Sequence, residues 1–106
     1  MGFYLVRAGY GGEVAKAMIK KPHDREKAVR KTIEALGGKL HSFFFSLGDY
    51  DAVAIIEMPD NITAAASALG AAASGAVSKI HTTALLTAAE AMDAMTFAAK
   101  KSKPPK

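Results

Sequence analysis

Residues 40–58 read Leu40-His41-Ser42-Phe43-Phe44-Phe45-Ser46-Leu47-Gly48-Asp49-Tyr50-Asp51-Ala52-Val53-Ala54-Ile55-Ile56-Glu57-Met58, two apolar runs either side of a Gly-Asp-Tyr-Asp segment. Leu40 to Leu47 is rich in aromatics and Ala52 to Met58 is almost wholly apolar, the composition of strands that pack on a core. Gly48 can take the positive backbone angle that a tight turn demands. The stretch is therefore predicted to be a β-hairpin of two antiparallel neighbours.

On its N-terminal side, Ala28, Val29, Thr32, Ile33 and Leu36 recur at the spacing of one helical face, opposite the charged Arg25, Glu26, Lys27, Arg30, Lys31 and Glu34. Asp24 suits the N-cap of that helix, and Gly37 and Gly38 suit its end. Glu13 to Lys20 forms a shorter helical piece before Pro22 breaks the chain direction. Phe3 to Ala8 reads as a first strand that stops at Gly9, Gly11 and Gly12. These glycines lack the Gly-Lys-Ser/Thr ending of a phosphate loop and the dinucleotide spacing, so they read as turn residues. After the hairpin, Pro59, Asp60 and Asn61 precede an alanine-rich helix from Ile62 to Ser74, ended by Gly75. Ala76 to Thr87 reads as a fourth strand and Ala88 to Ala99 as a terminal helix. The class is α+β: a βαββαβ order, with both main helices on one face of an antiparallel sheet, plus a C-terminal helix.

The 106 residues suit one domain, assigned to 1–99, with a disordered basic tail at 100–106 that holds Lys100, Lys101, Lys103 and Lys106 beside Pro104 and Pro105. The net charge of +4 resides in that tail, so the body is nearly neutral. Nucleic acid is therefore the weakest partner class, although strand aromatics faintly suggest a stacking platform. Apolar residues make up 50% of the chain, which places it among folding sequences rather than disordered ones. The absence of cysteine excludes disulfides, thiolate metal sites, cysteine nucleophiles and iron–sulfur clusters. No apolar run approaches the roughly 18 residues of a membrane span, and Met1 to Tyr10 lacks the apolar core of a secretory signal. The expected location is cytoplasmic, with no membrane partner and no cofactor.

A lone sheet with helices on one side alternates apolar and polar residues along each strand. These strands do not: Tyr4, Val6 and Ala8 lie opposite Phe3 and Leu5, and Ala52, Ala54, Ile56 and Met58 lie opposite Val53 and Ile55. Two helices cover one face, so the other is expected to meet a second copy of the chain in a homodimer or larger homo-oligomer. The competing expectation is that helix 88–99 folds back over the open face of its own chain.

By the same parity the open face collects Arg7, His41, Glu57, Lys79 and His81 among Phe3, Leu5, Phe43, Phe45, Val53 and Ile55. Apolar surface with a few convergent ionisable groups is the sequence signature of a small-molecule pocket. Either histidine suits proton transfer, with Glu57 orienting one of them. His41, His81 and Glu57 would also make a two-histidine, one-carboxylate metal set if three strands met closely, but the expectation is no metal. His23, beside Pro22, reads as a surface residue. Asp49, Tyr50 and Asp51 read first as hairpin chemistry, with aspartates bonding to turn amides, and second as a pocket mouth closed by Tyr50. The candidate ligand contacts are thus Arg7, His41, Tyr50, Glu57 and His81. A purely structural or regulatory oligomer with no ligand site is the alternative.

The run from Ser42 to Asp51, followed by Ala52 to Pro59, resembles the signature of the GYD domain family. The Tyr10 to Pro22 segment, the Leu36-Gly37-Gly38 helix end, the alanine-rich helix and Thr82 to Thr87 are similar to that family too, so the likeness spans nearly residues 3–95. The motif falls on Gly48, Tyr50 and Asp51, with Asp49 where an acidic residue is common. The chain departs from the pattern at Tyr10-Gly11-Gly12, where a threonine commonly follows the tyrosine. The resemblance implies a ferredoxin-like domain of the dimeric α/β-barrel kind, in a bacterial family with a largely undefined role.

Overall fold

A computed structural model of the chain describes residues 1–101. The elements are β1 (Gly2–Tyr10), α1 (Gly12–Lys20), α2 (Arg25–Ala35), β2 (Lys39–Phe45), β3 (Ala52–Met58), α3 (Asn61–Ala73), β4 (Val77–Leu85) and α4 (Ala88–Lys101). The expected tail at 100–106 is thus helical in its first two residues, and 102–106 lie outside the described residues.

The four strands form one antiparallel sheet in the order β2-β3-β1-β4. Each crossover through a helix, from β1 to β2 and from β3 to β4, skips over one intervening strand. This interlock is the split βαβ topology read from the element order.

Parity along β1 and β3 is as expected. Tyr4 pairs with Ile56, Val6 with Ala54 and Ala8 with Ala52 on the helix side, while Phe3, Leu5 and Arg7 oppose Glu57, Ile55 and Val53 on the other. Tyr4, Ile33, Leu40, Ala54, Ile56, Met58 and Ala64 make the core, with Val6, Val29, Leu36 and Phe43 packed against them. The Tyr4 hydroxyl donates to Oδ1 of Asn61, joining β1 to the first residue of α3.

Strand β2 corrects the expected face of its aromatics. Its register shifts between Leu40 and Ser42, so that His41 is an extra residue. Beyond the bulge, Phe43 opposes Ala54 and Phe45 opposes Ala52, placing both on the helix side, while Phe44 opposes Val53 on the open face. One inserted residue exchanges the faces of everything after it. Gly9 is a second correction: it is a paired residue of β1, not a turn.

Helix ends follow local chemistry. Asp24 caps α2, accepting from the Lys27 amide. Asp60 and Thr63 form a reciprocal capping box at α3. Thr87 and Glu90 do the same at α4: the Thr87 amide donates to Glu90 Oε1 at 2.9 Å and the Glu90 amide to Thr87 Oγ1 at 3.1 Å. The expected fourth strand, 76–87, therefore stops at Leu85. Gly38 sits where the chain turns onto β2, and a Cβ there would collide with Met58 Sδ and lie 2.7 Å from the Glu57 carbonyl oxygen.

Helix α4 does not fold back over the sheet. None of its residues is buried, and Met92, Met95 and Phe97 stay about two-thirds exposed. The radius of gyration, 17.0 Å, accordingly exceeds the roughly 13 Å of a compact chain this long.

Candidate functional site

Arg7 lies at the middle of the open face because β1 is an inner strand and residue 7 has the outward parity. Its neighbours across the ladders are Val53 and His81. The guanidinium carbon stands 4.7 Å from the centre of the Tyr50 ring, and Lys79 Nζ stands 4.6 Å from the same centre. An aromatic face attracts cations through its quadrupole, so one ring holds two positive groups together. Lys79 reaches the ring by crossing Gly9, where a Cβ would come within 3.1 Å of its Cγ. His81 Nδ1 lies 3.5 Å from Arg7 Nη2 and 3.3 Å from Thr83 Oγ1. A guanidinium only donates, so the Arg7–His81 contact is a hydrogen bond when Nδ1 is the acceptor.

Tyr50 is aimed at these cations by the loop that carries it. Gly48 adopts φ +131°, a left-handed angle that side-chain-bearing residues rarely take. Ser46 closes the loop, its amide donating to the Asp51 carbonyl at 2.8 Å and its hydroxyl to the Tyr50 carbonyl at 2.8 Å. Asp51 then fastens the loop to β1. Its Oδ2 accepts from the Tyr10 amide at 2.8 Å and its own amide donates to the Ala8 carbonyl at 2.9 Å. The amide that Asp51 binds thus belongs to β1 rather than to the turn.

His41 and Glu57 form a separate group at the far end of the face. His41 Nε2 lies 2.9 Å from Glu57 Oε1, and its ring centre is 5.2 Å from that of Phe3. Arg7 and Phe3 are four residues apart on β1, about 13 Å at the usual strand rise. The five candidates therefore divide into two groups, Arg7, Tyr50 and His81 against His41 and Glu57, with Leu5 and Ile55 between them. The imagined His41–His81–Glu57 metal set is not assembled, and no group of three or more His, Asp or Glu able to hold a metal occurs among the described residues. The sequence placed Lys79 on the open face but not among the candidate contacts, and Gly9, whose missing side chain admits Lys79, was read as a turn residue.

Among the described residues neither Arg7 nor Lys79 lies within 4.0 Å of a carboxylate, and Arg7 Nε is buried with no hydrogen-bond partner.

A groove of about 770 Å³ opens on the opposite side of the sheet, between α2 and α3. Val6, Ala54 and Ile56 form its floor, and none of the five candidate residues lines it. Sequence periodicity gave no sign of it, since it records which residues α2 and α3 turn inward but not how far apart the helices stand.

An antiparallel four-stranded sheet with interlocked crossovers, helices on one side and a loop-positioned tyrosine on the other, defines a small α+β domain of the ferredoxin-like type. The family model of the GYD domain matches residues 4–95, and the chain belongs to that family. Its three name-giving residues have separate tasks here: Gly48 bends the loop, Tyr50 contacts the two cations and Asp51 fastens the loop to β1. No curated protein and no solved structure matches the chain. No helix among the described residues is long and apolar enough to cross a membrane.

Proposed function

We propose that this domain self-associates through the open face of its sheet and holds a small molecule there, against the Arg7–Tyr50–Lys79–His81 group. The observation that carries the reading is a face made of Phe3, Leu5, Phe44, Val53 and Ile55 that none of the described helices covers, with cations at one end that no described carboxylate pairs. Removing that apolar surface from water favours association, at about 25 cal/mol per Å². Enclosing Arg7 and Lys79 without a counter-charge opposes it, which calls for an acceptor from a ligand. A bacterial source belongs to the same reading and rests on the family resemblance, and a cytoplasmic location is proposed with it because no apolar run has the length of a membrane span.

Sedimentation velocity across a dilution series, with native mass spectrometry of the freshly purified protein, tests it. The expected result is a dimer or larger assembly carrying a small molecule, reduced to single subunits by Leu5→Glu. A wild-type monomer at all concentrations overturns the association. A ligand-free dimer leaves the structural or regulatory oligomer as the correct description.

A further inference from the structure

The groove between α2 and α3 has a chemistry of its own. Its floor and walls are apolar, contributed by Val6, Val29, Ile33, Phe43, Ile56 and Ile80. The α3 wall is made of small residues, including Ala66, Ser67, Gly70 and Ala71, which keeps the space open rather than filled. A volume of about 770 Å³ lies within the range of small-molecule sites, roughly 300–1,000 Å³. Two of the lining residues carry positive charge, Arg25 and Lys31, and among the described residues no aspartate or glutamate lines it.

Arg25 is the fixed one of the pair. As the first residue of α2 it stands directly after the Asp24 cap, and its guanidinium carbon lies 5.3 Å from the centre of the Tyr10 ring. Its Nε is buried and has no hydrogen-bond partner among the described residues, and no carboxylate lies within 4.0 Å of it. The neighbouring acid, Glu26, is engaged instead by Arg30 at 2.6 Å. A desolvated guanidinium nitrogen with nothing to donate to is costly, and an anion reaching Arg25 would satisfy it. A guanidinium holds its N–H groups in one plane, the arrangement that meets a carboxylate through paired hydrogen bonds, and the Tyr10 ring beside it adds a cation–π contact.

We infer that this groove is a second binding site, distinct from the open face, for a monocarboxylate with an apolar body. The carboxylate pairs with Arg25 at the Tyr10 end, and the apolar part lies on Val6, Ala54 and Ile56 between the two helices. A compact polyanion such as phosphate is disfavoured, because most of the surface it would touch has no hydrogen bond to give.

The probe is 2-naphthoate, titrated into the full chain by calorimetry, with 2-naphthylmethanol as the uncharged analogue and inorganic phosphate as the anion without an apolar body. Naphthoate is expected to bind at least tenfold more tightly than either. Arg25→Gln should weaken naphthoate about tenfold or more and leave the alcohol unchanged, and Arg25→Lys should recover part of the loss. Filling the groove with Ala71→Phe should weaken naphthoate and alcohol alike, with circular dichroism confirming that each variant is folded. An Arg25→Gln protein that binds naphthoate as tightly as wild type overturns the inference, and so does phosphate binding equal to that of naphthoate. The double variant Arg7→Gln, Lys79→Gln separates the two sites. If it weakens naphthoate while Arg25→Gln does not, the anion belongs to the open face, and the groove fails as a site while the open-face reading gains support.

Discussion

Asp51 is bound to β1 at both ends of its residue, its carboxylate accepting from the Tyr10 amide at 2.8 Å and its amide donating to the Ala8 carbonyl at 2.9 Å. The position of Tyr50 one residue earlier depends on this double attachment, and so do the two cations that meet the tyrosine ring.

Asp51→Ala removes the side-chain half of the attachment. A charge-assisted hydrogen bond at an exposed site contributes about 1 kcal/mol, so urea unfolding should show a loss of that size. Asp51→Asn retains an acceptor and should recover most of it. In a Tyr4→Phe, Tyr10→Phe background, tyrosine fluorescence anisotropy should fall in the alanine variant, because the loop then keeps only its backbone bond to β1.

Gly38→Ala forces a methyl group into Met58 Sδ, the Glu57 carbonyl and Ile33 Cγ2. Overpacking of this kind costs about 1–3 kcal/mol. Met58→Ala, at a fully buried side chain, should cost about 2–5 kcal/mol through the cavity it leaves. The double variant should lose less than the sum of the two, since one substitution vacates part of the space the other needs. Chemical denaturation of the four proteins completes the cycle.

Acid should loosen two helix starts. The Thr63 amide and hydroxyl hold the Asp60 carboxyl below its ordinary value, and the Thr87 amide and hydroxyl do the same for Glu90. A carboxyl lowered by folding stabilises the native state above its unfolded value and withdraws that support as pH falls through the folded one. Both caps therefore act fully at neutral pH and fade below the ordinary carboxylate range. Far-UV circular dichroism of wild type and of the Asp60→Ala, Glu90→Ala protein should differ most at neutral pH and converge in acid.

The sheet was legible because runs of β-favouring residues are set off by helical periodicity and by Gly and Pro breaks, and the resulting βαββαβ order fixes the topology. Strand β2 was half legible. Its Phe43-Phe44-Phe45 run is apolar at every step, so nothing in the alternation reveals that His41 is an extra residue, and the faces of the three rings come out exchanged. The Thr87–Glu90 box was present as a Thr-x-x-Glu pattern and was absorbed into the preceding strand, since Thr82, Thr83 and Thr87 all favour extended backbone. Of the candidate site, the outward parity of Arg7, Glu57 and His81 was readable from register. Their division into two groups depends on ladder positions about 13 Å apart, and those positions follow only from the pairing of all four strands.

The unpacked last helix gives the protein methionines of two kinds. Met92 and Met95 lie at the surface of α4, whereas Met58 has no solvent exposure. Thioethers oxidise according to their access to the oxidant. Limited peroxide followed by peptide mass mapping should convert the first two and spare the third. If assembly shelters α4, the same treatment of concentrated protein should spare all three, so sulfoxide at residues 92 and 95 becomes a chemical record of whether the subunits were joined.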